Sequence, residues 1–193
     1  MDLVLLKPGN DDLFVEGAGA SQLDGSIVSD EGEEEIDGCI ELVSCNFGMS
    51  QQMTTDVSNT SRTSGRPNLM DITVVKYLDR SSPNLYKHCL SAQPIDTGEI
   101  DAPTKIFLCR NSGEDGDDNV LSAIMTIKLY NCMISSVQAQ SHPNDMATEQ
   151  LMLNYTDIEW VATHQSWDAS PGGIVAYQWS VARNRSGIQA LLP

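Results

Sequence analysis

The residues that could do chemistry match none of the common catalytic or metal-binding spacings. His88, His142 and His164 lie in three different contexts, with no HExxH or Cys/His pattern around them. His88 falls on the apolar face of a predicted helix, which is typical of a core histidine. The pairs Asp11-Asp12 and Asp117-Asp118 lie in predicted loops, without the buried surroundings that tune catalytic carboxylates. We therefore predict no catalytic residues, no cofactor and no metal, and we predict that the chain is not an enzyme.

Other candidate sites also have a structural interpretation. The five cysteines are odd in number, scattered and without CxxC spacing, so reduced core thiols are predicted. Gly17-Ala18-Gly19 does not open a helix and so forms no phosphate cradle. Trp160, Trp167 and Trp179 could line a ligand site, but two of them lie on predicted strand faces and are expected in the core. The acidic run from Asp30 to Glu35 lacks the spacing of an EF-hand calcium loop.

Charge excludes one class of partner. The 193 residues carry a formal net charge of −16, which argues against nucleic-acid binding because phosphate contacts need basic side chains. No apolar run approaches the roughly 20 residues needed to span a bilayer, so no membrane insertion is expected. The N-terminal residues lack the basic start and cleavage site of a signal peptide. We therefore predict a protein that is made in the cytoplasm and that, if it is exported, leaves by a route that does not read an N-terminal signal.

The acidity is concentrated at one end of the chain. Residues 1–41 hold twelve acidic residues against Lys7 alone, which is a net charge of −11. The segment from Gly9 to Asp37 is also rich in Gly and Ser. Blocks of like charge usually form solvated, self-repelling loops. We predict that residues 9–37 are an acidic surface insertion with no structural role in the folded domain.

Apolar patterning predicts a mainly β domain. The segment from Val120 to Ala139 is apolar on both faces and too long for one ordinary strand, so a bent strand or a pair of strands is predicted. The segment from Leu151 to Trp160 switches parity near Thr156-Asp157, which predicts a bulge or bend. Only a barrel, a sandwich or an oligomer covers an apolar strand on both faces. The remaining predicted strands are residues 2–7, 39–53, 72–78, 104–110 and 175–181.

One helix is predicted, from Pro83 to Ala92. Ser82 supplies a capping oxygen, and Pro83 occupies the first helical position, where its missing N–H costs nothing. Leu85, His88, Cys89 and Ala92 share one face, and Pro94 ends the run.

Five short motifs, in order, resemble the Hcp family, the tube proteins of bacterial type VI secretion systems. The most explicit is KYLDRSSPNL at residues 76–85, and FGMSQ at 47–51 and SSV at 135–137 also match. EQLMLNY at 149–155 and the GGxVxYxW pattern at 172–179, with Arg183-Asn184 after it, complete the set. The resemblance covers residues 38–185, and residues 1–37 agree poorly with it.

The resemblance implies a two-sheet β-barrel with one short α-helix packed outside, assembling into a homo-hexameric ring. Rings of the family stack into a tube that a contractile sheath expels, with a VgrG-type spike at its tip, and some members hold effector proteins in the pore. Residues 1–185 would form the single Hcp-like domain and residues 186–193 a C-terminal tail. Neither the effector cargo nor the target cell follows from these motifs.

A polar loop holds the predicted site residues. Residues 53–68 are almost entirely Thr, Ser, Asn, Gly and Arg, and a connection of this length is uncommon unless it is functional or disordered. In the Hcp family this position holds an extended loop that contacts neighbouring subunits. The resemblance therefore implies a subunit-interface loop that includes Thr54, Thr55, Val57, Asn59, Arg62, Arg66 and Asn68.

Two alternatives stay open from the sequence. A tail-tube protein of another phage-like contractile injection particle would share the architecture. A monomeric secreted β-barrel that binds a ligand belongs to a different class, and the mass in solution separates it from a ring.

Overall fold

The computed structural model of the chain describes residues 3–10, 13, 25–36, 38–53, 65–111, 120–165 and 171–188. These residues form a mainly β fold with one helix, as predicted. The elements in chain order are β1 (Leu3–Lys7), β2 (Ser26–Ser29), β3 (Gly32–Glu35), β4 (Ile40–Leu42), β5 (Ser44–Asn46), β6 (Met49–Ser50), β7 (Asn68–Leu69), β8 (Ile72–Tyr77), α1 (Ser82–Ser91), β9 (Thr104–Asn111), β10 (Val120–Tyr130), β11 (Met133–Gln140), β12 (Thr148–Asn154), β13 (Asp157–Gln165), β14 (Pro171–Ser180) and β15 (Arg185–Ser186).

The described strands form two main sheets and one hairpin. The larger sheet has the order β15-β14-β13-β10-β9-β1-β4, with β2 paired to β10 and β3 paired to β2. The smaller sheet has the order β11-β12-β8-β5, and β6 pairs with β7 alone. β2 runs parallel to β10, whereas the other pairs of named strands are antiparallel.

One hydrophobic core lies between the two sheets. Ile106 and Ile127 of the larger sheet and Val74 and Leu151 of the smaller sheet belong to the same buried cluster, and each is 0% exposed. The two-sheet architecture that the family resemblance implies is therefore confirmed.

The chain crosses from one sheet to the other at sites that the sequence marked. Residues 120–139 form the pair β10 and β11, joined at Asn131, whose φ of 50° permits the sharp turn. The parity switch near Thr156 is a break between β12 and β13, which lie in different sheets. The predicted bulge or bend within one strand is therefore a full break between two strands, because the chain leaves one sheet for the other.

The predicted acidic insertion without a structural role is wrong for residues 25–36. These residues, which we call the strap, form the β2–β3 hairpin and extend the larger sheet through β10. Ile27 and Ile36 are buried in a second cluster with Leu5 and Phe107, on the face of the larger sheet that points away from the main core. Burial of these two side chains holds the strap on the sheet, although its acidic composition is typical of a solvated loop.

The helix lies outside the sheets and faces the core as predicted. It packs against β11, with Leu85 only 1% exposed and Cys89 packed against the main core. Its first turn differs from the prediction, since Ser81 is the N-cap residue and makes no capping hydrogen bond through its side chain.

Replacing Leu85 with Ala should lower the free energy of unfolding by about 2–5 kcal/mol, because a buried leucine leaves a cavity when it is truncated. Chemical denaturation measures this loss. Leu90→Ala is the matched control, since Leu90 is 88% exposed on the same helix. Equal stabilities of the two variants would show that the helix does not pack through Leu85.

Candidate assembly surfaces

The most explicit sequence motif builds a buried ion pair. Lys76 of β8 and Glu149 of β12 have side chains that are 0% exposed, and Lys76 Nζ lies 2.7 Å from Glu149 Oε1. Lys76 Nζ also lies 2.9 Å from Asp79 Oδ1 and donates to the Tyr77 carbonyl at 2.9 Å. Ser82 donates from its hydroxyl to Glu149 Oε1 at 2.8 Å.

This network has a structural role. It ties the start of the helix to two strands of the smaller sheet, so that motif residues at 76–82 and 149 act together although they are far apart in the chain. Burial raises the pKa of Asp79, but hydrogen bonds from Ser81 and the charge of Lys76 outweigh burial and leave that pKa below its usual value. The charges are paired rather than poised for proton transfer.

The hairpin formed by β6 and β7 pairs with neither main sheet, and we call it the stem. The stem consists of residues 47–53 and 65–70, and the Gly65 N–H donates to the Gln52 carbonyl at 3.0 Å beyond the named strands. Met49, Met53 and Met70 are 58%, 55% and 54% exposed. These methionines form an apolar surface on the stem that the described residues leave largely uncovered.

Two of the predicted loop residues lie on the stem. Asn68 pairs with Ser50 in the hairpin, and Arg66 donates from its guanidinium to the Val181 carbonyl at 3.0 Å within the same subunit. Arg66 therefore fastens the stem to the chain after β14. The other predicted loop residues, Thr54, Thr55, Val57, Asn59 and Arg62, lie outside the described residues.

A groove of about 890 Å³ lies between the stem and the larger sheet. Trp160 and Tyr177 stack in it, with ring centroids 6.4 Å apart and an interplanar angle of 17°. Trp179 and Arg66 also line it. The indole N–H of Trp160 is buried without a hydrogen-bond partner in this structure.

The sequence predicted the strand β14 but not the exposed apolar surface that this strand presents. Trp160 and Trp179 were expected in the core and are instead half-buried, each with one side against the core. Ile174, Val175 and Tyr177 of β14 are 56%, 72% and 55% exposed, so both faces of this strand reach solvent. Apolar alternation shows that a strand will be covered, but it does not show whether its own chain or another one covers it.

The strap is held by six alternating charges. Lys7, Lys105 and Lys128 stand side by side on β1, β9 and β10, because Lys105 pairs in register with both of the others. Lys128 Nζ lies 2.7 Å from both Asp30 Oδ2 and Glu31 Oε1, and Lys105 Nζ lies 2.6 Å from Glu31 Oε2. Glu34 bridges Lys105 and Lys7 at 3.0 and 3.1 Å.

The pKa values of these groups reflect their pairing. Burial raises the pKa of Glu31 and Glu34, but hydrogen bonds from the lysines outweigh it and leave both values lowered. Burial lowers the pKa of Lys105 and Lys128, but their carboxylate partners outweigh it and leave both values raised. Three adjacent lysines would repel one another on an open sheet, so the strap neutralises them.

Burial keeps two of the described thiols protonated. Burial raises the pKa of Cys45 to about 11 and, together with Cys39, that of Cys109 to about 12, so both thiols are protonated at neutral pH. His88 Nδ1 lies 3.1 Å from the Pro94 carbonyl.

Among the described residues, no cluster of His, Cys, Asp and Glu could hold a metal ion. In the same part of the chain, no helix is long and apolar enough to cross a bilayer.

Comparison with known proteins identifies the family. Residues 17–161 match the family described as "Type VI secretion system effector, Hcp". The chain is 31% identical over 119 residues to Protein hcp1 of Pseudomonas aeruginosa. The aligned residues cover 61% of this chain and 67% of that protein.

Solved structures show the same fold. A type six secretion system protein superposes with a TM-score of 0.68 at 18% identity, and the match covers 97% of this chain and 100% of that chain. Hcp1 from Salmonella typhimurium superposes with a TM-score of 0.59 at 16% identity, and the match covers 96% of this chain and 98% of that chain. These matches favour neither the ligand-binding barrel nor another contractile particle. The chain therefore belongs to the Hcp family and is a tube subunit of a type VI secretion system.

Proposed function

We propose that six copies of this chain close into a ring and that the rings stack into the inner tube of the secretion system. A contractile sheath would surround this tube, a VgrG-type spike would cap it, and effector proteins would travel in its pore. The protein would act as a structural part without catalysis, made in the cytoplasm and secreted without a signal peptide.

The exposed stem and the exposed strand β14 carry the proposal. The described stem residues have Arg66 as their single charge and present three exposed methionines. β14 presents Ile174, Val175 and Tyr177, and its Tyr177 lines the same groove as Met49 of the stem. This exposed apolar surface fits self-association, and a head-to-tail contact between copies closes into a ring when the rotation between neighbours is a whole fraction of a turn.

Charge supports contact through these patches. Six subunits bring a formal charge of −96, six times the −16 of one chain, into one particle. Interfaces formed by acidic surfaces would then repel, whereas the stem and the β14 patch are nearly uncharged. The predicted role of Thr54, Thr55, Val57, Asn59, Arg62, Arg66 and Asn68 at this interface remains a prediction.

Native mass spectrometry tests the ring. We expect a particle of about 126 kDa, six times the 21.0 kDa subunit. Deleting residues 57–62, which spares the described stem, should leave each subunit folded by circular dichroism and reduce the hexamer. A deletion of residues 113–117, in the loop between β9 and β10, is the matched control and should retain the ring. A parent that stays near 21 kDa at micromolar concentration would refute the ring.

A further inference from the structure

The most exposed methionines of the described chain are concentrated on the stem. Among the described residues, four methionines are more than half exposed. Three of them, Met49, Met53 and Met70, lie on the stem, whereas Met146 lies between β11 and β12. Methionine is among the residue types most often buried in proteins, so three exposed methionines on one small hairpin require an explanation.

Met49 and Met70 lie on opposite faces of the stem. Met49 stands opposite Leu69 in the hairpin and lines the groove that Tyr177 also lines. Met70 donates from its backbone N–H to the Gly48 carbonyl at 3.0 Å, one pair further along, and successive pairs alternate between the two faces of a hairpin. The Met70 sulfur lies beside Gly48, where an added Cβ would be 3.7 Å from it. A copy that covers either face of the stem therefore covers a methionine.

An exposed thioether reacts with peroxides. Hydrogen peroxide transfers one oxygen atom to the sulfur: the O–O bond breaks, an S–O bond forms and water leaves. The sulfur loses two electrons and the peroxide gains them. The product, methionine sulfoxide, is polar, and specific reductases convert it back to methionine. A polar oxygen buried at an interface without a hydrogen-bond donor is unfavourable, so oxidation changes what such a surface can bind.

Most thiols of the described chain compete poorly for peroxide. Peroxide reacts with the thiolate form, and burial raises the pKa of Cys45, Cys109 and Cys132. Cys39 is buried, and Cys89 is half-buried against the main core. The stem is therefore the place where an oxidant reaches exposed sulfur and, in the same step, alters a candidate assembly surface.

We propose that Met49, Met53 and Met70 form a reversible oxidation site that controls the entry of a subunit into the ring. Peroxide oxidises the stem of a free subunit, and the sulfoxides make the stem polar. That subunit then stays out of the ring until a methionine sulfoxide reductase restores its thioethers. This inference rests on the proposed ring and adds to it a modification site and the class of reagent that acts there.

Sorting of partly oxidised subunits tests the site without any substitution. Rings of the parent are separated into folded subunits in mild denaturant, treated briefly with hydrogen peroxide and allowed to reassemble. Rings and leftover subunits are then separated by size, and peptide mass spectrometry measures the sulfoxide at each methionine. We expect the sulfoxide content of the three stem positions to be several-fold lower in rings than in leftover subunits, whereas sulfoxide at Met146 should divide evenly.

The two ways in which this experiment can fail are distinct. Equal sulfoxide content at the stem positions in rings and in leftover subunits would overturn the inference while the ring itself stands. A parent that forms no ring before treatment would instead refute the proposed function.

Leucine substitutions test the same site from the other side. Met49→Leu/Met53→Leu/Met70→Leu keeps the stem apolar and removes its sulfur, so this variant should reassemble after peroxide treatment as well as before it. The parent should lose rings several-fold under the same treatment and regain them with methionine sulfoxide reductase. Met146→Leu is the matched control, because Met146 is 66% exposed outside the stem, and it should remain as sensitive as the parent. Equal loss of rings in the triple variant and the parent would mean that oxidation acts elsewhere.

Glutamine substitutions replace the oxidation step if the leucine variant does not assemble or the rings do not separate in denaturant. Glutamine is polar and similar in length to methionine sulfoxide, so Met49→Gln/Met53→Gln/Met70→Gln should form several-fold less hexamer by native mass spectrometry at the same concentration. Met146→Gln should form as much hexamer as the parent. Full assembly of the triple glutamine variant would overturn the inference.

Discussion

Lys76→Met is expected to destabilise the folded subunit by about 3–5 kcal/mol, because it leaves Glu149 buried with its charge uncompensated. Lys76 Nζ contacts Glu149 at 2.7 Å and Asp79 at 2.9 Å, and both the Lys76 and Glu149 side chains are fully buried. Methionine fills nearly the same volume, so the loss reports the charge rather than a cavity. Chemical denaturation of the purified variant measures it.

The double variant Lys76→Met/Glu149→Leu separates pairing from packing. Replacing both members of a buried pair with apolar residues is often neutral or stabilising, so the double variant should recover much of the loss. Recovery should be incomplete, since Ser82 and Tyr86 lose the carboxylate to which they donate. Lys87→Met is the control for losing a lysine, because Lys87 lies on the exposed side of the helix. A single variant as stable as this control would show that the pair contributes nothing.

Local patterns predicted the elements around this pair but not the pair itself. β-Branched residues predicted a strand at 72–78, and Pro83 with helical spacing predicted a helix at 83–92; both are confirmed, as β8 at 72–77 and α1 at 82–91. Ser82 was predicted as the cap of the helix, yet its hydroxyl accepts from the Asp79 N–H and donates to Glu149. A partner 67 residues away leaves no mark on the local sequence.

The sequence did not predict the strap either, because the partners of its charged residues are also distant in the chain. Its composition suggested a solvated loop, since Asp30, Glu31 and Glu34 looked like unpaired acids. Their partners, Lys105 and Lys128, lie more than 70 residues further along the chain. The four residues from Ser26 to Ser29 are too short a run to indicate a strand from their side-chain pattern when the residues that follow are densely acidic.

The candidate assembly surfaces show a third limit. The alternation of Val175, Tyr177 and Trp179 predicted β14 correctly, and the parity gave the two sets of side chains. Their exposure depends on which face another copy covers, which is a property of the assembly. Sequence patterns therefore predicted the fold better than the surfaces that the fold presents.

Lys128→Glu is expected to release the strap from the larger sheet. The substitution replaces the cation between Asp30 and Glu31 with a third carboxylate, so two attractions at 2.7 Å become repulsions. Lys128 is 5% exposed and Asp30 is shielded, but the Glu31 side chain is 47% exposed, so solvent weakens part of the effect. We expect a loss of stability near the lower end of the 3–5 kcal/mol typical of a broken buried pair, about 3 kcal/mol.

Hydrogen exchange locates that loss. Amides of residues 26–28, which pair with β3 and with β10, should lose protection in Lys128→Glu, while amides of the smaller sheet should keep it. Lys87→Glu makes the same charge change on the exposed side of the helix and should leave the strap protected. Retained protection of the strap in Lys128→Glu would mean that Ile27 and Ile36 hold it without help from the charges.

The pH dependence of stability should carry the same signature. Glu31 and Glu34 have a lowered pKa in the folded state, so their contribution is fully present above the ordinary value of 4.5 and is lost as the pH falls through the lowered values. Lys105 and Lys128 have a raised pKa, so their contribution is fully present below 10.5 and is lost as the pH rises through the raised values. The parent should therefore be most stable between these limits and lose stability on acidification below 4.5. In Lys128→Glu the acid-side loss should shrink, because Glu31 has already lost one of its two lysines. Melting curves of both proteins at neutral and acidic pH measure the difference, and parallel losses would show that the network does not hold the strap.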